Sequence, residues 1–168
     1  KIYGSMGKSR SIASILLYPE NELSTNSTEV ERTIKVFERK FKNNTGAIGI
    51  IGAGNYTKMT LLPALKKYGI DICIISSAGG LSSTHLAKKY DITKSTTDYR
   101  EVLKDPRVGL VMITTRHNLH FQMVIEALKA GKHVFVEKPL CLAEDELNEI
   151  INVVSDLQHP NSENGLLT

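Results

Sequence analysis

The sequence predicts an α/β protein built on a doubly wound parallel sheet. Residues 46–158 alternate short, β-branched apolar runs with segments of helical periodicity. Such alternation requires right-handed crossovers between parallel strands. The polar and glycine-containing motifs of this region also follow directly after predicted strands. Doubly wound sheets bind their ligands at that edge, outside the carboxyl ends of the strands.

Five apolar runs define the predicted strands. They are residues 47–51, 70–75, 93–95, 109–114 and 133–137. The first run is apolar throughout, as expected for a parallel strand that is buried on both faces. The predicted helices run from the turn after residue 51 to about residue 68, then over residues 81–90, 98–105, 121–130 and 143–154. Pro63 lies inside the first helix, so we expect a kink there or a restart near Thr60.

The first 45 residues lack the regular alternation of strand and helix patterns that follows them. Residues 12–18 are apolar enough for one strand and residues 20–27 are polar, so residues 1–27 are predicted to be a linker or the tail of an upstream domain. Thr28 and Glu31 match a capping box, and apolar residues follow at helical spacing. These features predict a helical lead-in over residues 28–45.

The composition excludes several function classes. A net charge of +3 with 41% hydrophobic residues gives no basic surface for nucleic acid or for an anionic membrane. No apolar run reaches the length of a membrane span, and no secretion signal is recognisable. Cys73 and Cys141 have neither a CxxC nor a zinc spacing. They are expected to be buried thiols in a reduced, cytoplasmic setting.

A glycine turn follows the first strand of the sheet. Gly52 permits the sharp turn, and Gly54 leaves the backbone open to a pyrophosphate. The helix that begins around Asn55 and Tyr56 offers free amides and a partial positive charge. Thr57 replaces the third glycine of the usual dinucleotide fingerprint, which weakens the match without removing the phosphate site. The turn predicts nicotinamide-dinucleotide binding, with purely structural glycines as the alternative.

Ser76 and Ser77 end the second strand of this region. A site that prefers NAD usually places a carboxylate at this point to hold the ribose hydroxyls. The two serines can hydrogen-bond a 2′-phosphate without repelling it, so the sequence favours NADP over NAD. No arginine follows them, however, and two serines that merely begin a loop are an equally good interpretation.

Polar residues also follow the last two strands. Residues 114–120 read Thr-Thr-Arg-His-Asn-Leu-His, and residues 137–139 read Glu-Lys-Pro. His117 and His120 are three residues apart, but no third ligand lies nearby in the sequence, so no metal site is predicted. Lys138 stands beside a proline at the end of a buried strand, which favours a chemical role over that of an ordinary solvated lysine.

Residues 126–139, taken with the glycine turn, resemble the glucose-fructose oxidoreductase, inositol dehydrogenase and rhizopine catabolism family. The resemblance covers about residues 46–158 and implies an NAD(P)-binding Rossmann domain. It implies that Lys138 is catalytic, lying near nicotinamide and substrate and stabilising developing oxyanion character. Glu137 would fix the local geometry. Pro139 matches a family proline that a cis bond commonly precedes.

The same resemblance implies a cofactor-contacting loop after the fourth strand. Thr114, Thr115, His117 and His120 match its usual Thr-Pro-x-x-x-His pattern, and His120 is expected near the helix start, facing the cofactor. Arg116 stands in place of the proline. That replacement puts the path of the loop, and any extra phosphate contact, in question.

The function that the resemblance implies is NAD(P)-dependent oxidation of a hydroxyl on a small, sugar-like substrate or polyol. It also implies a second α+β domain, with an Asp-x-x-x-His acid/base pair and a sheet used for homo-oligomers. No such pair follows residue 139, so we expect residues 159–168 to begin a truncated continuation. The chain is then a fragment that binds cofactor without turnover.

Residues 11–20 resemble the closing strand of a medium-chain alcohol dehydrogenase domain, which suggests a fusion. Two other interpretations of the function stay open. A non-catalytic dinucleotide sensor would keep the glycine turn but would not need Lys138. A methyltransferase-type fold would share the glycine turn but not the Glu-Lys-Pro tripeptide.

Overall fold

One sheet of six strands organises residues 31–38 and 46–158, which are the residues that the computed structural model describes. The strands are β1 (Thr33–Lys35), β2 (Ala47–Ile51), β3 (Ile72–Ser76), β4 (Lys94–Thr96), β5 (Val108–Ile113) and β6 (His133–Val136). The helices are α1 (Leu62–Lys67), α2 (Leu81–Tyr90), α3 (Arg100–Lys104), α4 (His120–Lys129) and α5 (Glu144–Gln158). All five strands predicted for residues 46–158 are present, with ends that differ by at most two residues.

The strand order is β1-β4-β3-β2-β5-β6. The five strands from β2 to β6 run parallel to their neighbours, and β1 is antiparallel to β4. The chain moves outward from β2 to β4 on one side, then returns to lay β5 and β6 on the other. This is a doubly wound sheet, as predicted, and its topological switch point lies between β2 and β5.

The central strand β2 explains why the sheet is covered on both faces. All five of its residues are buried. Successive side chains of a strand point to opposite faces, so Ile48 and Ile50 join one apolar cluster while Ala47 and Ile51 join another. The first cluster includes residues of α1 and α2, and the second includes residues of α3, α4 and α5.

The strand β1 corrects the helix predicted over residues 28–45. Within the described segment 31–38, residues 33–35 are a strand. Pairing with β4 gives this segment partners that a lone helix lacks: the Val36 amide donates to the Thr93 carbonyl (2.7 Å), and the Thr97 amide donates to the Arg32 carbonyl (2.9 Å). β-Branched residues suit that role. Residues 28–30 and 39–45, the tail or linker at 1–27 and the continuation at 159–168 lie outside the described residues.

The helix after the glycine turn is interrupted, as expected from Pro63. A turn of π-helix covers Thr57–Leu61, and α1 begins directly after it with Pro63 in its first turn. The Leu62 amide donates to the Thr57 carbonyl, and Pro63, which has no amide to donate, follows where the π pattern changes to the α pattern. None of the helices in the described part of the chain combines the length and apolarity needed to cross a membrane.

Candidate functional site

A cleft of about 720 Å³ opens at the carboxyl edge of the sheet, over the switch point between β2 and β5. This volume is typical of small-molecule sites, which span about 300–1,000 Å³. Four successive strand ends contribute to its lining. They provide residues 52–54 after β2, Ser76 and Ser77 at β3, Thr97 and Tyr99 after β4, and residues 114–116 after β5.

Gly52 and Gly54 meet different demands in the turn. Gly52 has a φ of +114°, and a Cβ there would lie 2.7 Å from the Thr114 hydroxyl and 2.8 Å from its carbonyl carbon. Gly52 must therefore lack a side chain for the turn to close. A Cβ on Gly54 would meet no heavy atom within 4 Å. The turn itself does not require this second glycine, which leaves open space for a group that approaches the backbone.

Thr57 lies behind the turn rather than in the cleft. It is completely buried. Its hydroxyl donates to the Gly52 carbonyl at 2.9 Å and lies 2.7 Å from the Thr114 hydroxyl. A hydrogen-bonded threonine thus joins helix to strand where the fingerprint has a glycine. The sequence placed Thr57 among the cofactor-binding residues; the structure makes it a support for the turn.

The end of β3 is rich in hydroxyl groups. Ser76 is buried and accepts a hydrogen bond from the Gly52 amide through its carbonyl (3.0 Å). The Ser77 hydroxyl lies 3.2 Å from that of Ser82 and 3.0 Å from that of Ser83. The Ser77 hydroxyl therefore belongs to a network of serines, and Ser76 contributes its backbone carbonyl to the glycine turn.

The cleft is electrostatically suited to an anion. Arg116 is the single charged side chain among the described residues that line it. Its guanidinium makes no hydrogen bond or ion pair within residues 31–38 and 46–158, and the residue is exposed. Burial, reinforced by a hydrogen bond to Glu126, raises the pKa of Tyr99 to about 12, so this phenol in the lining is neutral at pH 7. A phosphate in the cleft meets a positive charge and no carboxylate.

The backbone at Arg116 resolves the question raised by its replacement of proline. Its φ of −73° lies within the range that a proline ring enforces. A short 3₁₀ turn, His117–Leu119, then leads into α4. The loop therefore keeps a path that proline could follow, while the arginine adds a cation.

The Glu-Lys-Pro turn follows β6. The Glu137 amide donates to the Ile113 carbonyl (3.0 Å), and the Lys138–Pro139 bond is cis, as the resemblance implied. The nearby Glu137 carboxylate raises the pKa of the Tyr56 hydroxyl above its ordinary value. Tyr56 of the glycine turn and Glu137 of the lysine turn are therefore neighbours. Lys138 is exposed.

The resemblance implied that His120 faces the cofactor. The residue is instead completely buried and does not line the cleft. Its Nδ1 lies 2.7 Å from the Pro139 carbonyl oxygen and its Nε2 lies 3.1 Å from that of Thr115. His117 is exposed and packs edge to face against the His120 ring, with the ring centroids 5.7 Å apart. Within the described residues, no three His, Cys, Asp or Glu side chains are arranged to hold a metal ion.

Several residues that line the cleft were not predicted from the sequence. They are Ala78, Ser82, Thr97, Tyr99, Leu119 and Met123. Thr97 and Tyr99 follow β4, so applying the strand-end rule to that strand as well would have found them. Ser82 and Met123 lie in the first turns of α2 and α4, which begin at the carboxyl edge of the sheet. No local signal marks those two positions, because their role depends on how the helices pack.

The chain is similar in sequence to a family of oxidoreductases and to two characterised members of it. A sequence profile of the family resembled above, described as "Oxidoreductase family, NAD-binding Rossmann fold", matches residues 47–161. The 1,5-anhydro-D-fructose reductase of Ensifer adhaerens is 30% identical over 103 residues, covering 61% of this chain and 31% of that protein. The inositol 2-dehydrogenase/D-chiro-inositol 3-dehydrogenase of Lactiplantibacillus plantarum is 30% identical over 106 residues, covering 62% and 29%.

A crystal structure of KijD10, a 3-ketoreductase from Actinomadura kijaniata in complex with NADP and TDP-benzene, shares the fold. Its TM-score is 0.61 at 24% identity, and the match covers 70% of this chain and 40% of that one. Compared with the two enzymes named above, the chain spans about a third of the length of the curated relatives it matches.

Proposed function

The chain belongs to the oxidoreductase family with the NAD-binding Rossmann fold. We propose that it is the cofactor-binding part of a dehydrogenase that acts on a hydroxyl group of a sugar or polyol. The relatives named above act on an anhydro-sugar and on inositols. The observation that carries the proposal is the Glu-Lys-Pro turn after β6, in which the Glu137 amide donates to the Ile113 carbonyl and the Pro139 carbonyl oxygen lies 2.7 Å from Nδ1 of His120. A sensor would have no use for a lysine held in this way.

The residues of the cleft fit a dinucleotide. The open space at Gly54 lets a pyrophosphate reach the backbone, and Arg116 supplies a cation in the lining without a protein partner among the described residues. Asn55 and Tyr56 open the helix whose first amides face the turn. Bound there, a nicotinamide cofactor would supply the hydride acceptor for oxidation of the carbinol carbon.

Lys138 has the chemistry that the substrate side requires. An ammonium group beside the substrate oxygen would polarise the hydroxyl and stabilise the negative charge that develops as the O–H proton passes to a general base, a role that the family resemblance gives to a histidine of a second domain. Glu137 and Pro139 hold the backbone on either side of the lysine: the Glu137 amide donates to the Ile113 carbonyl, and the carbonyl of Pro139 faces the His120 ring.

We further propose a preference for NADP over NAD. No carboxylate among the described residues lines the cleft at the end of β3, where an NAD-preferring protein usually has one. The hydroxyls of Ser77 and Ser82 line it instead.

The test compares Lys138→Met with Lys129→Met, an exposed lysine near the end of α4. Turnover of inositols and anhydro-sugars is measured in the complete protein encoded by the gene, with NADPH and NADH titrated in parallel by fluorescence. We expect Lys138→Met to lower kcat at least about 100-fold with unchanged cofactor affinity, and Lys129→Met to behave as wild type. Unchanged kcat in Lys138→Met would remove the lysine from the reaction. Cofactor binding without turnover of any such substrate by the wild type would favour a sensor.

A further inference from the structure

One buried side chain joins the two loops that carry the candidate chemistry. His120 begins α4 and is completely buried. One ring nitrogen lies 2.7 Å from the Pro139 carbonyl oxygen, and the other lies 3.1 Å from the Thr115 carbonyl oxygen. Thr115 belongs to the cleft lining after β5, and Pro139 follows Lys138 after β6.

The backbone alone does not hold these loops together. The ladder between β5 and β6 ends with the pair Ile113 and Val136, and the Glu137 amide makes one more bond to Ile113. Beyond that point the segments that follow β5 and β6 both leave the sheet. Among the described residues, the His120 ring is the one side chain that hydrogen-bonds the turn formed by Lys138 and Pro139.

We propose that His120 is a positioning residue, which fixes Lys138 relative to the cleft segment 114–116 by bridging the Thr115 and Pro139 carbonyls. The proposal rests on the function proposed above for Lys138. The sequence pattern suggested a histidine facing the cofactor. The geometry assigns it a different task, in which it acts on the reaction through the lysine turn and touches no ligand.

The chemistry of imidazole explains why histidine suits this position. Its two ring nitrogens point in divergent directions, so one side chain reaches two carbonyls on different loops. An imidazolium donates to both oxygens, and a neutral ring donates to one of them. Bonding to both carbonyls therefore requires a proton on each ring nitrogen, and removing the two nitrogens takes the donor away from both loops at once.

Three variants separate the two halves of the bridge. His120→Phe keeps an aromatic ring of similar size and removes both nitrogens. His120→Asn places an amide nitrogen near the position of Nδ1, which faces Pro139, and His120→Gln places one near the position of Nε2, which faces Thr115. His85→Phe, at an exposed position of α2, is the matched control.

The first measurement is hydrogen–deuterium exchange and needs no cofactor. We expect His120→Phe to speed exchange in segments 115–119 and 138–142 together while β2 stays protected. His120→Asn should restore protection to the lysine turn, and His120→Gln to the Thr115 loop. Unchanged exchange in either segment of His120→Phe would overturn the bridge, as would faster exchange spread evenly over the whole sheet.

The second measurement compares NADPH with 2′,5′-ADP. The adenosine half of a dinucleotide binds at the glycine turn and the end of the next strand, away from the His120 bridge. We therefore expect His120→Phe to weaken NADPH about fivefold to tenfold, as for one lost hydrogen bond, and to leave 2′,5′-ADP unchanged. Equal weakening of both ligands would mean a general structural role. A wild type that binds neither ligand would contradict the proposed function, and the exchange result would then decide the bridge alone.

Discussion

At the scale of single residues, the two glycines of the turn have separable roles. Gly52 adopts a left-handed φ and lies so close to Thr114 that any Cβ would clash with the backbone. Gly54 has neither a left-handed φ nor a neighbour within 4 Å of its would-be Cβ. The first glycine serves the fold, and the second leaves room for a ligand.

This contrast gives a matched pair of variants. Gly52→Ala should destabilise the protein by about 1–3 kcal/mol, because alanine is strained at this φ and crowds Thr114. Gly54→Ala should leave the unfolding free energy within about 0.5 kcal/mol of wild type, yet weaken NADPH at least about tenfold, because the methyl group occupies the approach to the backbone. Urea unfolding and fluorescence titration measure the two effects. A Gly54→Ala variant that binds NADPH normally would place the phosphates elsewhere.

Two departures from the family pattern are also explained residue by residue. Thr57 replaces a glycine, and its hydroxyl bonds to Gly52 and Thr114 in the space between helix and strand. Arg116 replaces a proline and keeps a φ of −73° that proline shares. In both cases the replacement adds a polar group: a buried hydroxyl at Thr57 and an exposed guanidinium at Arg116.

At the scale of secondary-structure elements, β1 shows tertiary pairing overriding a local pattern. Apolar residues at helical spacing and a capping box predicted a helix for this segment. The free edge of β4 instead accepts residues 33–35 as an antiparallel strand. Backbone hydrogen bonds to a preformed edge favour the extended form, and a short isolated helix is only marginally stable in water.

Proline scanning tests the pairing of β1 with β4. Val36→Pro removes an amide that donates to the Thr93 carbonyl. We expect a loss of about 1 kcal/mol, as for one hydrogen bond, with faster deuterium exchange in residues 94–97. The alternation of an antiparallel pair directs the Lys35 amide away from β4, so Lys35→Pro is the control and should change exchange much less. Equal effects of the two prolines would argue against this register.

At the scale of the whole molecule, a buried carboxylate joins elements at the amino edge of the sheet. Asp105 accepts hydrogen bonds from the Arg107 side chain (2.7 and 2.9 Å) and from Lys94 of β4 (3.1 Å). Lys132, just before β6, donates to the Asp105 carbonyl (3.1 Å). Burial alone would raise the pKa of Asp105, but the hydrogen bonds from Arg107 and Lys94 outweigh it and hold the pKa well below its ordinary value of 3.8.

The free energy of unfolding should therefore depend on the protonation of Asp105 at acidic pH. A carboxyl group whose pKa is depressed on folding contributes stability above its unfolded pKa, and loses it as the pH falls through the folded value. We expect Asp105→Asn to cost about 2 kcal/mol at pH 7, and its unfolding free energy to fall less than that of wild type between about pH 5 and pH 2. Urea unfolding across this range measures both. The exposed Asp91, 4.0 Å from Lys66, offers Asp91→Asn as a control with no expected effect. Parallel pH profiles for wild type and Asp105→Asn would contradict the linkage.

Much of the molecule was predictable from local order in the sequence. The five parallel strands follow from apolar runs broken by glycine, proline and polar residues. The approximate site follows because the carboxyl ends of parallel strands share one edge. That rule brought Gly52, Ser77, Thr114 and Arg116 to a single cleft, and the resemblance around residues 126–139 agrees with the family match.

The tertiary structure decided how each of these residues is used. Spacing in the chain shows that His120 follows a strand, but not whether its ring faces a ligand or two carbonyl oxygens. It shows that a threonine replaces a glycine, but not that its hydroxyl finds two partners behind the turn. Periodicity and turn chemistry act between neighbours in sequence and so specify the elements. Burial and hydrogen bonding join residues far apart in the chain, so the roles of Thr57, His120 and the β1 segment emerge only when the elements pack.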